Sequence, residues 1–194
     1  DAFEKAGITA TPTTYEELIA ANDKLVAAGI APFSFGGTVN WHVMRLLDEL
    51  LETKCGADVH DQLNTKQVSW ATTPCVAEAF TELKTWSQKY IANGFMAITV
   101  DQAYPLLYTG KAAMVLEGDW FNGVLRSAGE DLNNYGIFNF PTGTGRLYGF
   151  SQGNYIGSSC KHPDEAASFL DYMNSTEVQQ KYLGTFGAIS VNKN

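Results

Sequence analysis

The stretch Tyr108-Thr109-Gly110-Lys111-Ala112-Ala113-Met114-Val115-Leu116-Glu117-Gly118-Asp119-Trp120 sets the character of the chain. Its apolar run Ala112–Leu116 stands between Gly110-Lys111 and Glu117-Gly118. That length suits a buried strand better than a helix. Immediately upstream, Val100 to Thr109 reads as a short helix, with Pro105 as an irregularity and Gly110 as its end. A buried strand fed by a helix is the mark of an α/β layer rather than an all-helical bundle.

Working outward, the amino-terminal side supplies helices and one more strand. Thr14-Tyr15-Glu16-Glu17 has the capping-box form, and Leu18, Ala21, Leu25 and Ala28 recur at helical spacing before Gly29, which predicts a helix at about 14–28. Ile30–Thr38 reads as a short apolar strand ending at Gly36-Gly37. A second helix begins near Asn40 with the stripe Val43, Leu46, Leu47, Leu50 and Leu51, and the polar residues 56–64 read as a loop with His60 on the surface. Thr73-Pro74 opens a third helix through Val76, Ala79, Phe80, Leu83 and Trp86 to about Ala92, closed by Asn93-Gly94.

On the carboxyl side, Tyr135–Phe140 and Asn154–Gly157 are strand candidates. Pro163-Asp164-Glu165 starts a helix with Ala166, Phe169, Leu170 and Met173 as its core stripe, followed by a short helix from Ser175 to Leu183. The sum is a helix-rich α/β chain with few, short strands and no internal repeat.

Composition narrows the function classes. The chain has 194 residues, 45% hydrophobic and 18% charged, enough to build a core without metal or disulfide and too apolar for disorder. Thirteen Lys and Arg against 21 Asp and Glu give a net charge of −8, and the basic residues are scattered singly. A nucleic-acid partner would require them clustered. No apolar run approaches the roughly 20 residues that span a bilayer. Asp1-Ala2-Phe3-Glu4-Lys5 carries no export signal, so any such signal is expected to have been removed or to lie outside these residues.

Cys55, Cys75 and Cys160 lack the paired spacing of a zinc site. Cys55 and Cys75 either close a disulfide loop, if the protein is exported, or stand as two thiols; Cys160 is left over in the first case. His42, His60 and His162 lie too far apart in sequence for a helical metal pair, and His162 reads as a helix-start residue. There is no nucleophile elbow, and Gly143-Thr144-Gly145-Arg146-Leu147-Tyr148-Gly149 has one residue too many for a dinucleotide fingerprint. No metal or cofactor is expected. Glu117 and Asp119 offer paired carboxylates of the kind used in glycoside hydrolysis, and an acid–base enzyme built on them is the alternative function. A carboxylate that accepts from vicinal hydroxyls needs no shifted pKa and is the simpler role.

Three groups combine aromatic and short polar residues at element ends: Asn40-Trp41-His42, Asp119-Trp120-Phe121-Asn122 and Gln152-Gly153-Asn154-Tyr155. Pyranose rings present C–H faces that stack on aromatic rings, and hydroxyl edges that pair with Asn, Gln and Asp. This vocabulary suits a carbohydrate site formed by Asn40, Trp41, His42, Asp119, Trp120, Gln152, Gly153, Asn154 and Tyr155.

The order of several segments carries a resemblance. Phe3-Glu4-Lys5-Ala6-Gly7-Ile8, Pro12-Thr13-Thr14-Tyr15-Glu16-Glu17-Leu18 and Ala28-Gly29-Ile30-Ala31-Pro32-Phe33 are followed by Tyr108–Met114, Gly118-Asp119-Trp120, Tyr135–Pro141, Ala166–Leu170 and Phe186-Gly187-Ala188-Ile189-Ser190. In that order they resemble family 1 extracellular solute-binding proteins of ABC sugar importers, the maltose-binding-protein-like group. The resemblance implies one helix-rich lobe of a type II periplasmic-binding-protein-like fold. It makes residues 1–194 the C-terminal lobe, without the amino-terminal lobe or the helical tail. It further implies a non-catalytic protein, periplasmic or a cell-surface lipoprotein, that closes on a sugar and delivers it to a membrane permease. Trp41, Trp120 and Asp119 match cleft positions of the family, and Gln152-Gly153-Asn154 falls at its glycine-rich cleft loop. A lone lobe is expected to bind sugar weakly and to self-associate through its uncovered surface.

Overall fold

The computed structural model describes residues 1–149 and 153–186. The chain divides into two compact units. One is Asp1–Leu116 with Ile137–Tyr148; the other is Glu117–Gly136 with the chain from Gly149 onward.

The first unit holds α1 (Ala2–Lys5), α2 (Tyr15–Ala27), β1 (Ala31–Phe33), α3 (Trp41–Asn64), α4 (Pro74–Lys89), α5 (Val100–Tyr108) and β2 (Ala112–Met114). Thr14 caps α2 in the expected box: its hydroxyl accepts from the Glu17 amide at 3.2 Å, and the Glu17 carboxylate accepts from the Thr14 amide at 3.3 Å. Thr99 and Gln102 repeat the device at the start of α5, which runs through Pro105.

β1 and β2 pair in parallel, Ala31 opposite Ala112 and Phe33 opposite Met114. On its other edge β1 meets Ile91: the Phe33 amide donates to the Tyr90 carbonyl at 2.9 Å, and the Ala92 amide donates to the Phe33 carbonyl at 2.8 Å. This pairing explains why α4 stops at Lys89 and not near Ala92; residues 90–92 leave the helix to flank the strand. With a neighbour on both edges, three residues of β1 suffice to tie the layer together.

Helices α2, α3 and α4 turn the expected stripes onto this small sheet. Leu18, Leu25, Leu46, Leu50, Val76, Ala79 and Trp86 join Phe33 and Phe35 in the core, while Phe80 of the expected α4 stripe is exposed. Tyr15 is half-buried and clamps two helices, donating to Glu82 at 2.7 Å and accepting from the Trp86 indole N–H at 2.9 Å. Asn22 in α2 is fully buried, and neither atom of its side-chain amide has a hydrogen-bond partner.

Residues 56–64 are helix, not the expected loop. α3 is interrupted at Gly56 (φ 74°, ψ 167°) and resumes to Asn64. Glycine adopts this backbone without a Cβ penalty, so the helix changes direction and need not end. The second arm therefore faces the first, and His60 is buried instead of surface: Nδ1 lies 2.9 Å from Glu52 and Nε2 3.1 Å from Asp48. Cys55, next to the break, is joined to Cys75 at the start of α4 by a disulfide, and Cys160 is an exposed free thiol.

The return segment Ile137–Tyr148 forms no strand. Phe138 and Phe140 pack against the core, Phe140 with its ring 6.1 Å from Tyr15 and 5.9 Å from Trp86. Core packing without a ladder thus accounts for the alternation that reads as a strand over 135–140.

The second unit contains α6 (Phe121–Ser127), a 3-10 turn at Leu132–Asn134, α7 (Pro163–Met173) and α8 (Thr176–Phe186). Residues 154–157 are not a strand. α7 packs on α8, yet none of its residues is buried; Phe169 of the expected core stripe is 59% exposed. The Gly187–Ser190 stretch lies outside the described residues.

Candidate functional site

In the first unit the chain leaves the carboxyl end of β1 through Ser34–Gly37 and enters α3. The backbone here is wedged against other segments. A Cβ on Gly36 would lie 2.3 Å from the Val100 amide nitrogen, and one on Gly37 would lie 2.8 Å from the Met96 Cα. Only glycine permits this approach. The Gly36 amide donates to Nδ1 of His42 at 2.9 Å, and Asn40 takes the left-handed conformation (φ 59°) that aims the chain into the helix.

The expected trio at this end consequently separates. Asn40 is exposed and Trp41 is 59% exposed. His42 has no accessible surface, packs against the rings of Phe35 and Tyr104, and fixes the turn at Gly36. Its expected contact with ligand is replaced by this structural role. Val39 and Met44, on the segment that leaves the carboxyl end of β1 with Trp41, are also exposed, as is Met96 beside Gly37; this is the end where open α/β sheets receive ligands. The two methionines carried no signal in the sequence beyond their hydropathy.

In the second unit Asp119 and Trp120 precede α6. The Asp119 carboxylate accepts from the Trp120 amide at 3.0 Å, and the indole folds back over Gly118, where a Cβ would lie 2.1 Å from Cζ3. Gly153-Asn154-Tyr155 repeats the arrangement: a Cβ on Gly153 would lie 2.7 Å from the Tyr155 hydroxyl. Both are Gly-Asx-aromatic triplets in which the missing side chain makes room for the ring two residues on. Trp120 and Asp119 are half-buried, whereas Tyr155 is 91% exposed. Asn154 is exposed, and Gln152 lies outside the described residues. Such triplets offer a ring face with a short polar group beside it, which is the pairing a sugar demands.

A groove of about 400 Å³ in the first unit is lined by Val26, Ile30, Pro32, Lys89, Ile91 and Lys111, at the amino ends of the strands. None of the expected site residues lines it. Among the described residues, no group of three His, Cys, Asp or Glu side chains is arranged to hold a metal ion.

The family model for bacterial extracellular solute-binding proteins matches residues 1–180. An uncharacterized ABC transporter extracellular-binding protein of Pyrococcus horikoshii is 29% identical over 194 residues, covering 98% of this chain and 43% of its own length. Among solved structures, a chitin oligosaccharide binding protein superposes with a TM-score of 0.78 at 23% identity, over 100% of this chain and 50% of that one. The raffinose complex of the solute-binding protein RafE, known from Streptococcus pneumoniae, gives 0.70 at 21% identity, over 99% of this chain and 53% of that one. The chain spans about half the length of these relatives.

Proposed function

Because this chain belongs to the family of bacterial extracellular solute-binding proteins, we propose that it is the C-terminal lobe of the carbohydrate-binding component of an ABC importer. It binds a sugar or oligosaccharide without catalysis and presents it to the membrane permease. The parent protein works outside the cytoplasmic membrane, periplasmic or held as a surface lipoprotein. The observation that carries the reading is the pair of Gly-Asx-aromatic triplets together with exposed Trp41 at the carboxyl end of β1.

Under this reading Trp41, Trp120 and Tyr155 stack on pyranose faces, while Asn40, Asp119, Asn154 and Gln152 accept from or donate to hydroxyls, with Gly153 admitting the ring beside it. His42 acts behind them by fixing the turn. The disulfide fits an oxidising compartment. Exposed Phe169 and Tyr172 of α7 give a lobe made alone apolar side chains for self-association.

The test is a calorimetric screen of mono- and oligosaccharides against the two-lobed protein, repeated with Trp120→Ala. Saturable binding of one sugar class that Trp120→Ala weakens, with no hydrolysis of the bound glycoside, supports the reading. Absence of binding across the screen, or turnover that Asp119→Asn abolishes, overturns it.

A further inference from the structure

His60 stands in the second arm of α3 with a carboxylate of the first arm at each ring nitrogen. Its Nε2 lies 3.1 Å from Asp48 Oδ1, and its Nδ1 lies 2.9 Å from Glu52 Oε2. The ring is buried, as is Glu52, and Gly56 breaks the helix between them. The Asn64 side-chain nitrogen makes a longer approach to Nε2, at 3.5 Å.

A neutral imidazole carries a single proton. With that proton on Nε2 and given to Asp48, Nδ1 is a lone pair facing a carboxylate oxygen, buried and without a hydrogen bond. The other tautomer moves the same conflict to Asp48. Only the imidazolium, with a proton on each nitrogen, suits both neighbours. Glu52 is not free to turn away from the mismatch. Its other oxygen accepts from the Thr144 hydroxyl at 2.5 Å and lies 3.2 Å from Nε of Arg146. Arg146 is itself anchored, its Nη1 and Nη2 donating to the two oxygens of Asp61 at 3.0 and 2.7 Å.

The charged and titratable groups around the ring are mainly acidic. The first arm supplies Asp48, Glu49 and Glu52, with Arg45 one turn earlier donating to the Leu116 carbonyl at 2.8 Å. The second arm carries Asp58 and Asp61. The return segment supplies Arg146, and Tyr148 near enough to feel the charges of Asp48, Arg45 and Glu49. From α4, Glu82 pairs with Lys54 of the first arm at 3.4 Å. The Cys55–Cys75 disulfide fastens the first arm to α4 just before the break, so a lost tie between Glu52 and His60 bears on the second arm alone. Leu63 keeps the end of that arm in the core, so the arm loosens without detaching.

We propose that His60 is a proton-operated clasp between the two arms of α3: as the imidazolium it bridges Asp48 and Glu52 and holds the arm after Gly56 against the arm before it, and loss of a ring proton releases one side of the bridge. Histidine is the side chain suited to such a change near neutral pH. The tie is present while the ring is charged and is lost as pH rises.

Hydrogen–deuterium exchange of the 194-residue chain at pH 5.5 and 8.5, with rates corrected for the intrinsic effect of pH, tests the clasp. In the wild type, protection over 57–64 relative to α2 is expected to fall at least threefold from the lower to the higher pH. His60→Gln keeps a hydrogen-bonding side chain that cannot take up the charge, so protection should be low at both values and the step absent. Glu49→Gln removes a neighbouring carboxyl that burial has pushed up to about 7, and it should keep the step. Equal wild-type protection at the two pH values, a step that survives in His60→Gln, or a step abolished by Glu49→Gln overturns the proposal. Should His60→Gln fail to fold, Asp48→Asn, which takes away the charge facing Nε2, is read in its place: a smaller step supports the clasp and an unchanged one overturns it.

Discussion

The backbone N–H of Gly36 donates to Nδ1 of His42 across 2.9 Å inside the first unit, so a side chain at the start of α3 holds the turn that precedes it. Replacing His42 with Phe keeps a ring against Phe35 and Tyr104 and removes the acceptor. A buried donor left unmet costs about 1 to 3 kcal/mol. Urea denaturation of His42→Phe should show a loss of that size, with no change if the bond is dispensable.

Gly118 and Trp120 form a unit of the same kind. Any Cβ at 118 meets the indole, so Gly118→Ala must displace the ring or the backbone beneath it. Sugar affinity in Gly118→Ala should fall as far as in Trp120→Ala, by about 1 to 3 kcal/mol if the ring is a central contact. Tryptophan fluorescence would report the displacement in the absence of sugar.

Glu49 links stability to pH. Burial, helped by the neighbouring charges of Asp48 and Glu52, pushes its carboxyl up from 4.5 to about 7. The folded state therefore holds this proton more tightly than the unfolded chain. The associated stabilisation is complete below the unfolded value and disappears as pH rises through about 7. Glu49→Gln has no such proton to lose. The stability of Glu49→Gln relative to wild type should rise between pH 4.5 and 8, by on the order of 2 to 3 kcal/mol. Denaturation of both proteins across that range measures it, and the difference cancels the opposite slopes from Asp23 and Asp61, whose carboxyls are held low by Lys89 and Arg146 respectively.

Asn22 presents the opposite case, a polar side chain in the core without partners. Leucine keeps the branched outline with more bulk and has nothing to leave unpaired. Asn22→Leu should raise the thermal midpoint and add about 1 to 2 kcal/mol of stability. A lowered midpoint would show that the amide is satisfied by an internal water.

The cysteines are separable by chemistry. In the oxidised protein Cys160 alone should react with a thiol reagent, and reduction should raise the count to three. Opening a loop that joins residues 20 apart costs about 3 kcal/mol by the chain-entropy argument. Denaturation with and without reductant reads that loss directly.

Local signals accounted for most of the elements. The Thr14 box, the Pro74 and Pro163 starts, and the stripes of α2 and α3 all depend on neighbours in sequence, and the structure has them where the pattern puts them. What failed depended on distant partners. The end of α4 was set by Phe33, the false strand at 135–140 by the core beneath Phe138 and Phe140, and the fate of His60 by a single glycine that bends α3 back on itself. Within the site, aromatic residues beside glycine were legible as types; that the glycines exist to receive the rings was not, because the contact is one of shape. His42 looked like its exposed neighbour Trp41 because adjacent helical residues differ by about 100° in direction, and only the core decides which one faces inward.

Residues of β1 meet their partners in β2 about 80 positions further along, whereas Cys55 and Cys75 join α3 and α4 across a short interval. As the chain folds, the helical hairpin and its crosslink can be complete while β1 still has an empty edge. The sheet is thus the late event of assembly, and an export machinery that holds the chain extended until it is fully across would spare that waiting edge from strangers.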